Sequence, residues 1–145
     1  MVMNENVPIL LVEDNPDNVM ITRMAFEKGN IKNTLYVARD GDDTLRFLFK
    51  EGEYVNVPTP GLILVDLNLP KVSGYEVLRK IKMDERLKRI PVVVLTVSTS
   101  DSDICKTYEL GANSYIAKPA EFKDFVNVVS ALTDYWLRIS RIPGG

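Results

Sequence analysis

The sequence contains no histidine. That absence excludes Ser–His and Cys–His nucleophile systems and removes imidazole from any metal site. Metal chemistry must then rest on oxygen ligands, and the chain cannot supply a phosphohistidine of its own. A single cysteine, Cys105, rules out an internal disulfide framework and any CxxC metal knuckle. Within a helical pattern it reads as a small packed hydrophobe. No apolar run approaches the roughly 18 residues that span a bilayer, and the opening MVMNENVPILLVED lacks a basic start followed by a long apolar stretch. We therefore expect a cytoplasmic protein with no membrane association. The formal charge is −2 and the basic residues are scattered, without the clustered Lys and Arg of a nucleic-acid footprint. The short basic stretches at 79–82 and 86–89 read as solvated helix faces.

What is present suits one compact domain. The chain has 145 residues, 46% of them apolar and 26% charged, the balance of an ordinary globular protein with a real core. A single domain over 1–145 is expected, its core about 7–140 and a short tail at 140–145. Five short apolar runs rich in β-branched residues punctuate it: Ile9–Val12, Leu35–Ala38, 62–67, Val92–Thr96 and Ser114–Ala117. The first, third and fourth are continuously apolar rather than alternating, as strands are when both faces of a parallel sheet are covered. Helical spacing fills the gaps. Asn15-Pro16 opens one helix and Gly29 closes it. Another runs over about 42–50. A third, 73–82, begins with Ser73 and Glu76 in a capping-box pattern. A fourth covers about 101–110 and stops at Gly111. The last, about 122–139, carries Phe122, Phe125, Val126, Val129, Leu132, Trp136 and Ile139 at intervals of three and four. Five βα repeats with right-handed crossovers predict an α/β, doubly wound, five-stranded parallel sheet in a three-layer αβα sandwich.

Such sheets place their sites outside the carboxyl ends of the strands, where strand order reverses. Glu13 and Asp14 follow the first strand and Asp66 ends the third. Thr96 ends the fourth and Lys118 follows the fifth. Carboxylates crowded into one crevice must take up protons or bind a cation. Mg²⁺ suits one or two carboxylates together with phosphate oxygens, and the backbone carbonyl of Asn68 is a further donor. Lys118 supplies a fixed positive charge that can pair with a carboxylate and then a phosphoryl oxygen, and Thr96 can donate a hydroxyl hydrogen bond to that oxygen. The alternative is that these acids merely cap helix N-termini. One would be unremarkable; three together with Thr96 and Lys118 argue against it.

These residues resemble the receiver domains of two-component response regulators across nearly the whole chain. The resemblance lies in LVEDN, LILVDLNLPKVSG, VVVLT and YIAKP, with D-x-N-x-P-x-x-x-G read from Asp66, Asn68, Pro70 and Gly74. It implies a flavodoxin-like (βα)5 fold and a phosphoacceptor switch rather than a turnover enzyme, with weak autodephosphorylation. Asp66 looks like the residue that becomes 4-aspartylphosphate. Asp14 looks like a direct Mg²⁺ ligand, Glu13 one acting through water, and the Asn68 carbonyl the third protein ligand. Thr96 and Lys118 look like the groups that sense the phosphoryl oxygen, and Tyr115 like the switch aromatic that follows Thr96. A cis peptide is implied at Lys118-Pro119. Taken without the family, Tyr115 reads as a strand residue packing on a helix and Pro119 as a strand-exit proline.

EDNPDN, GEYVNVPTP, DLNLPKVSGYEVL and DYWLRISRIP further resemble single-domain regulators paired with phytochrome-type histidine kinases. That implies a light-responsive kinase as phosphodonor in a phosphorelay, and often a homodimer, for which the apolar last helix is the candidate surface. With only SRIPGG after Ile139, output is expected through docking to another protein rather than through an attached DNA-binding module. Two rivals are disfavoured by particular residues. An aspartate-nucleophile phosphohydrolase needs a second Asp where Asn68 stands. A cofactor-binding flavodoxin needs a glycine-rich phosphate loop where Glu13-Asp14 stands.

Overall fold

The computed structural model describes residues 6–143. Its strands β1 (Ile9–Val12), β2 (Leu35–Ala38), β3 (Leu62–Val65), β4 (Val92–Thr96) and β5 (Ser114–Ala117) form one parallel sheet in the order β2-β1-β3-β4-β5. Helices α1 (Pro16–Lys28), α2 (Gly41–Leu48), α3 (Gly74–Met83), α4 (Asp101–Glu109) and α5 (Phe122–Asp134) alternate with them. The doubly wound sheet expected from the continuous apolar runs is the one observed.

Those runs are apolar throughout because the sheet has two cores. Every residue of β1, β3 and β4 is buried. Side chains alternate between faces, so Leu10, Val12, Ile63, Val65, Val92 and Val94 meet Phe47 of α2 and Val77, Leu78 and Ile81 of α3. Ile9, Leu11, Leu62, Leu64, Val93 and Leu95 turn the other way, onto Phe26 of α1 and Phe125, Val129 and Leu132 of α5. Each fully buried Val, Leu, Ile or Phe contributes roughly 1.5–3 kcal/mol. The flanking β2 and β5 are only partly covered.

The caps follow the sequence. The Asn15 side chain accepts from the Asp17 backbone N–H (2.9 Å) and Ser73 Oγ from the Glu76 N–H (3.3 Å). Only half of the expected capping box forms, because the Glu76 carboxylate takes hydrogen bonds from Arg79 instead. β3 ends two residues before the expected boundary. Asp66 N–H still bonds to Val12 O (3.1 Å), but Leu67 O then accepts from the N–H groups of Leu69 and Gly74, which closes a turn. The last helix also departs from expectation. After α5 it widens into a π turn over Tyr135–Ile139, and the inserted residue shifts the buried stripe. Leu137, five residues after Leu132, faces inward, while Ile139 is 56% exposed. Cys105 is exposed on α4 rather than packed as a small hydrophobe. No described helix is long and apolar enough to cross a membrane.

Candidate functional site

Strand order reverses between β1 and β3, whose neighbours lie on opposite sides, and the acidic residues follow these two strands. Asp66 is 9% exposed and Glu13 3% exposed. Lys118 reaches between them: its ammonium donates to Asp66 Oδ2 at 2.8 Å and also to Glu13 Oε1. The second oxygen of each carboxylate is held by backbone, Asp66 Oδ1 by the Asn68 N–H (3.0 Å) and Glu13 Oε2 by the Asn15 N–H (3.3 Å). Burial lifts the Glu13 carboxyl above the usual carboxylate range, and the hydrogen bond and charge of Lys118 only partly reverse this. Burial pulls the Lys118 ammonium down, yet its hydrogen bonds to Asp66 and Glu13 outweigh that and hold it above the ordinary lysine value.

The turn after Asp66 depends on a glycine. A Cβ at position 74 would stand 2.5 Å from Asp66 O and 2.6 Å from Leu67 Cα. Only a residue without one lets α3 begin against the turn that follows Asp66. This gives the last position of D-x-N-x-P-x-x-x-G a steric reason.

Thr96 is completely buried at the end of β4, and its Oγ1 has no hydrogen-bond partner among the described residues. An unsatisfied buried hydroxyl is costly in a folded protein. The Lys118 backbone N–H donates to Thr96 O at 2.7 Å, tying the ends of β4 and β5 together. Tyr115 is half-buried against the core on the α2–α3 face, and its hydroxyl donates to the Ser98 carbonyl at 3.0 Å.

Two expectations are corrected. All peptide bonds among the described residues are trans, Lys118–Pro119 included. The trans form is intrinsically preferred before proline, and with it Lys118 already spans both carboxylates. Nor do the acids form a three-ligand nest: no group of three acidic or thiol side chains among the described residues is placed to hold a metal ion. Lys118 takes the space between Glu13 and Asp66, and Asp14 is exposed.

One arrangement escaped the sequence reading. The Asp103 carboxylate accepts from Ser98 Oγ (2.6 Å) and from the Tyr75 hydroxyl. Helical periodicity says nothing about such a pairing, since Tyr75 and Asp103 lie on different helices.

Comparison with known proteins agrees with this geometry. The family model of the response regulator receiver domain matches residues 9–130. The chain is 43% identical over 135 residues to response regulator Rcp1 of Synechocystis sp., covering 93% of this chain and 92% of the relative. It is 45% identical over 137 residues to the "Probable methanogenesis regulatory protein FilR2" of Methanothrix harundinacea, covering 94% and 87%. Among solved structures, the phosphorylated cyanobacterial phytochrome response regulator RcpA superposes with a TM-score of 0.92 at 40% identity, covering 96% of this chain and 99% of that one. The Mn²⁺-bound form of Rcp1 superposes with a TM-score of 0.90 at 42% identity, covering 95% and 99%. With the strand-end acids, the buried threonine and the bridging lysine in place, the chain belongs to the response regulator receiver domain family, whose members are phosphoacceptor switches of two-component signalling.

Proposed function

We propose that Asp66 accepts a phosphoryl group from the phosphohistidine of a sensor histidine kinase and that the resulting 4-aspartylphosphate switches partner binding. The observation that carries this reading is the pairing of a nearly buried Asp66 carboxylate, held by Lys118, with a buried Thr96 hydroxyl that lacks a partner among the described residues.

A carboxylate oxygen of Asp66 attacks phosphorus in line with the bond to the kinase imidazole. The P–N bond breaks, its electron pair returns to the ring nitrogen, and an acyl phosphate forms. Lys118 then shares its ammonium with a phosphoryl oxygen, and the Thr96 hydroxyl donates to another. The acyl phosphate carries roughly −1.5 to −2 of charge where the Asp66 carboxylate carried −1, beside the buried carboxylate of Glu13. Movement of Thr96 draws Tyr115 after it, and the surface around α4, β5 and α5 changes as a population shift between two states.

The donor set fits a hard divalent cation. Glu13, Asp66 and the Asn68 carbonyl offer oxygen alone, Asp14 stands exposed beside them, and a single ammonium faces the two buried carboxylates. We assign Asp14, Asp66 and the Asn68 carbonyl as direct Mg²⁺ ligands and Glu13 as one acting through water. When bound there, the ion would supply charge neutralisation for the transferring group.

Slow loss of the phosphoryl group to water is the only hydrolysis expected. The protein works in the cytoplasm, with output through docking and a homodimer formed through the last helix. Its partnership with a phytochrome-type kinase draws on the likeness to RcpA, and transfer from such a kinase in preference to other histidine kinases tests it. Acetyl phosphate with Mg²⁺, followed by intact mass, tests the acceptor: wild type gains one phosphoryl group and Asp66→Asn none. Equal labelling of the two contradicts the assignment.

A further inference from the structure

Gly41 is the buried first residue of α2. Its backbone is not left-handed, so other residues could adopt it, and alanine is the better helix former. What demands glycine is a close approach. A Cβ at position 41 would stand 2.0 Å from the Val72 carbonyl oxygen and 2.6 Å from Val72 Cβ, far inside van der Waals contact.

Val72 lies in the loop 67–73 between Asp66 and α3, which carries the Asn68 carbonyl. Both ends of this loop are fixed: the Asp66 N–H donates to Val12 O (3.1 Å) and the Gly74 N–H to Leu67 O (3.2 Å). Between them Pro70 holds its own φ and Lys71 is left-handed (φ 63°), which leaves the backbone few ways to absorb a displacement. The Lys71 ammonium also reaches Asp40, the residue that caps α2, at 3.4 Å; an ion pair this exposed adds little. Helix α2 is the stiffer partner. Thr44, Phe47 and Leu48 bury one of its sides in the core, whereas Asn68, Pro70 and Lys71 are exposed. An atom added at position 41 therefore displaces the loop rather than the helix.

We propose that Gly41 is a positioning residue: the bare start of α2 seats Val72 and so fixes loop 67–73 where the Asn68 carbonyl can complete the Mg²⁺ site. The inference rests on the reading of Asp66 and the Asn68 carbonyl as Mg²⁺ ligands. Gly41 follows β2, which β1 separates from β3 in the sheet, so an edge strand helps to shape a site at the centre. Mg²⁺ demands near-ideal octahedral geometry and tolerates little displacement of a ligand.

The test is Mn²⁺ binding to the full chain, followed by loss of the free-ion electron paramagnetic resonance signal. Gly41→Ala should weaken binding about 10-fold or more, as loss of a ligand's support does at other metal sites. Thr44→Val is the comparison: it removes the hydroxyl bond to Asp40 O (2.7 Å) at the same helix start but adds no atom beside Val72. It should lower stability toward urea and leave Mn²⁺ affinity unaltered. A merely structural role for Gly41 predicts instead that affinity follows stability in both variants. Wild-type affinity in a cooperatively folded Gly41→Ala, or equal weakening in the two, overturns the proposal. Where Gly41→Ala does not fold cooperatively, hydrogen exchange of the wild type decides. By linkage, saturating Mg²⁺ should slow exchange of the Asp43 and Thr44 N–H groups, both bonded to Asp40; exchange unaltered by Mg²⁺ overturns the proposal. Asp66→Asn separates the two readings. Mn²⁺ affinity unaltered by that change overturns the metal assignment and the role of Gly41 with it, whereas affinity lost in Asp66→Asn but retained in Gly41→Ala overturns the role of Gly41 alone.

Discussion

Two lysines reach into the two ends of the sheet, and they are satisfied in opposite ways. At the carboxyl end Lys118 lies between two carboxylates. At the amino end Lys82, from the last turn of α3, donates to the Ile90 carbonyl (2.9 Å), the Lys88 carbonyl (3.3 Å) and Asn113 Oδ1 (3.2 Å). Its stem passes under Gly111, a left-handed residue (φ 104°) where a Cβ would meet Lys82 Cγ at 2.9 Å. Burial lowers the Lys82 ammonium below its ordinary value, while carboxylates hold that of Lys118 above it. Neutral acceptors make a fastener: they satisfy the donor and offer no charge to exchange. Carboxylates make a site, because the ammonium can be handed to a competing anion. A buried lysine is thus structural or functional according to its acceptors.

Replacing each lysine should break the comparison most sharply. Lys118→Met leaves Glu13 and Asp66 buried without a cation, and breaking a buried pair in this way costs about 3–5 kcal/mol. Urea unfolding should show that loss, and Asp66→Asn in the same background should recover part of it. Lys82→Met should cost only about 1–2 kcal/mol, since it leaves neutral carbonyls unpaired, and should leave binding of the phosphoryl mimic beryllofluoride unaltered. Equal costs for the two would mean that the acceptors do not decide the role.

Thr96→Val sharpens the contrast within the functional end. It removes a buried hydroxyl with no partner among the described residues, so the unphosphorylated fold should gain stability of about 1 kcal/mol or less. The response to the phosphoryl mimic should fall at the same time. A loss of stability would mean that the hydroxyl is already satisfied.

The smallest effect concerns two tyrosines, each donating to an aspartate: Tyr54 to Asp43 (2.6 Å) beside β3's entry loop, and Tyr75 to Asp103. The Asp43 hydrogen bond chiefly raises Tyr54 to about 12, and burial together with Asp103 raises Tyr75 to about 12. Ultraviolet titration should show two phenols ionising there rather than near 10, and Tyr54→Phe and Tyr75→Phe should each remove one. Because the folded values are raised, the stability they contribute is complete below about pH 10 and is lost as pH rises through 12.

The frame of this molecule was legible where one-dimensional pattern decides structure. Continuous apolar runs marked β1, β3 and β4 as central because both their faces are covered, and Ser73 and Asn15 marked helix starts because only local backbone groups need satisfying. The sequence also named Glu13, Asp66, Thr96 and Lys118, since strand ends in a parallel sheet converge. Three-dimensional choices were not legible. The π turn that swaps Ile139 for Leu137, the trans bond at Pro119 and the exposed position of Cys105 depend on packing. The hydrogen bonds of Asp103 with Tyr75 and Ser98 join separate segments, and no periodicity announces them. Asp14 sits beside Glu13 in sequence yet faces solvent, because adjacent residues leaving a strand point in different directions.

The chemistry of the acceptor can be read directly from the modified residue. Borohydride reduces an aspartyl phosphate to homoserine, so treatment after phosphorylation with acetyl phosphate and Mg²⁺, followed by peptide mass spectrometry, locates the acyl phosphate. The account predicts homoserine at position 66 and nowhere else; a reduced residue at position 13 or 14, or a phosphorylated chain with position 66 unaltered, would contradict it.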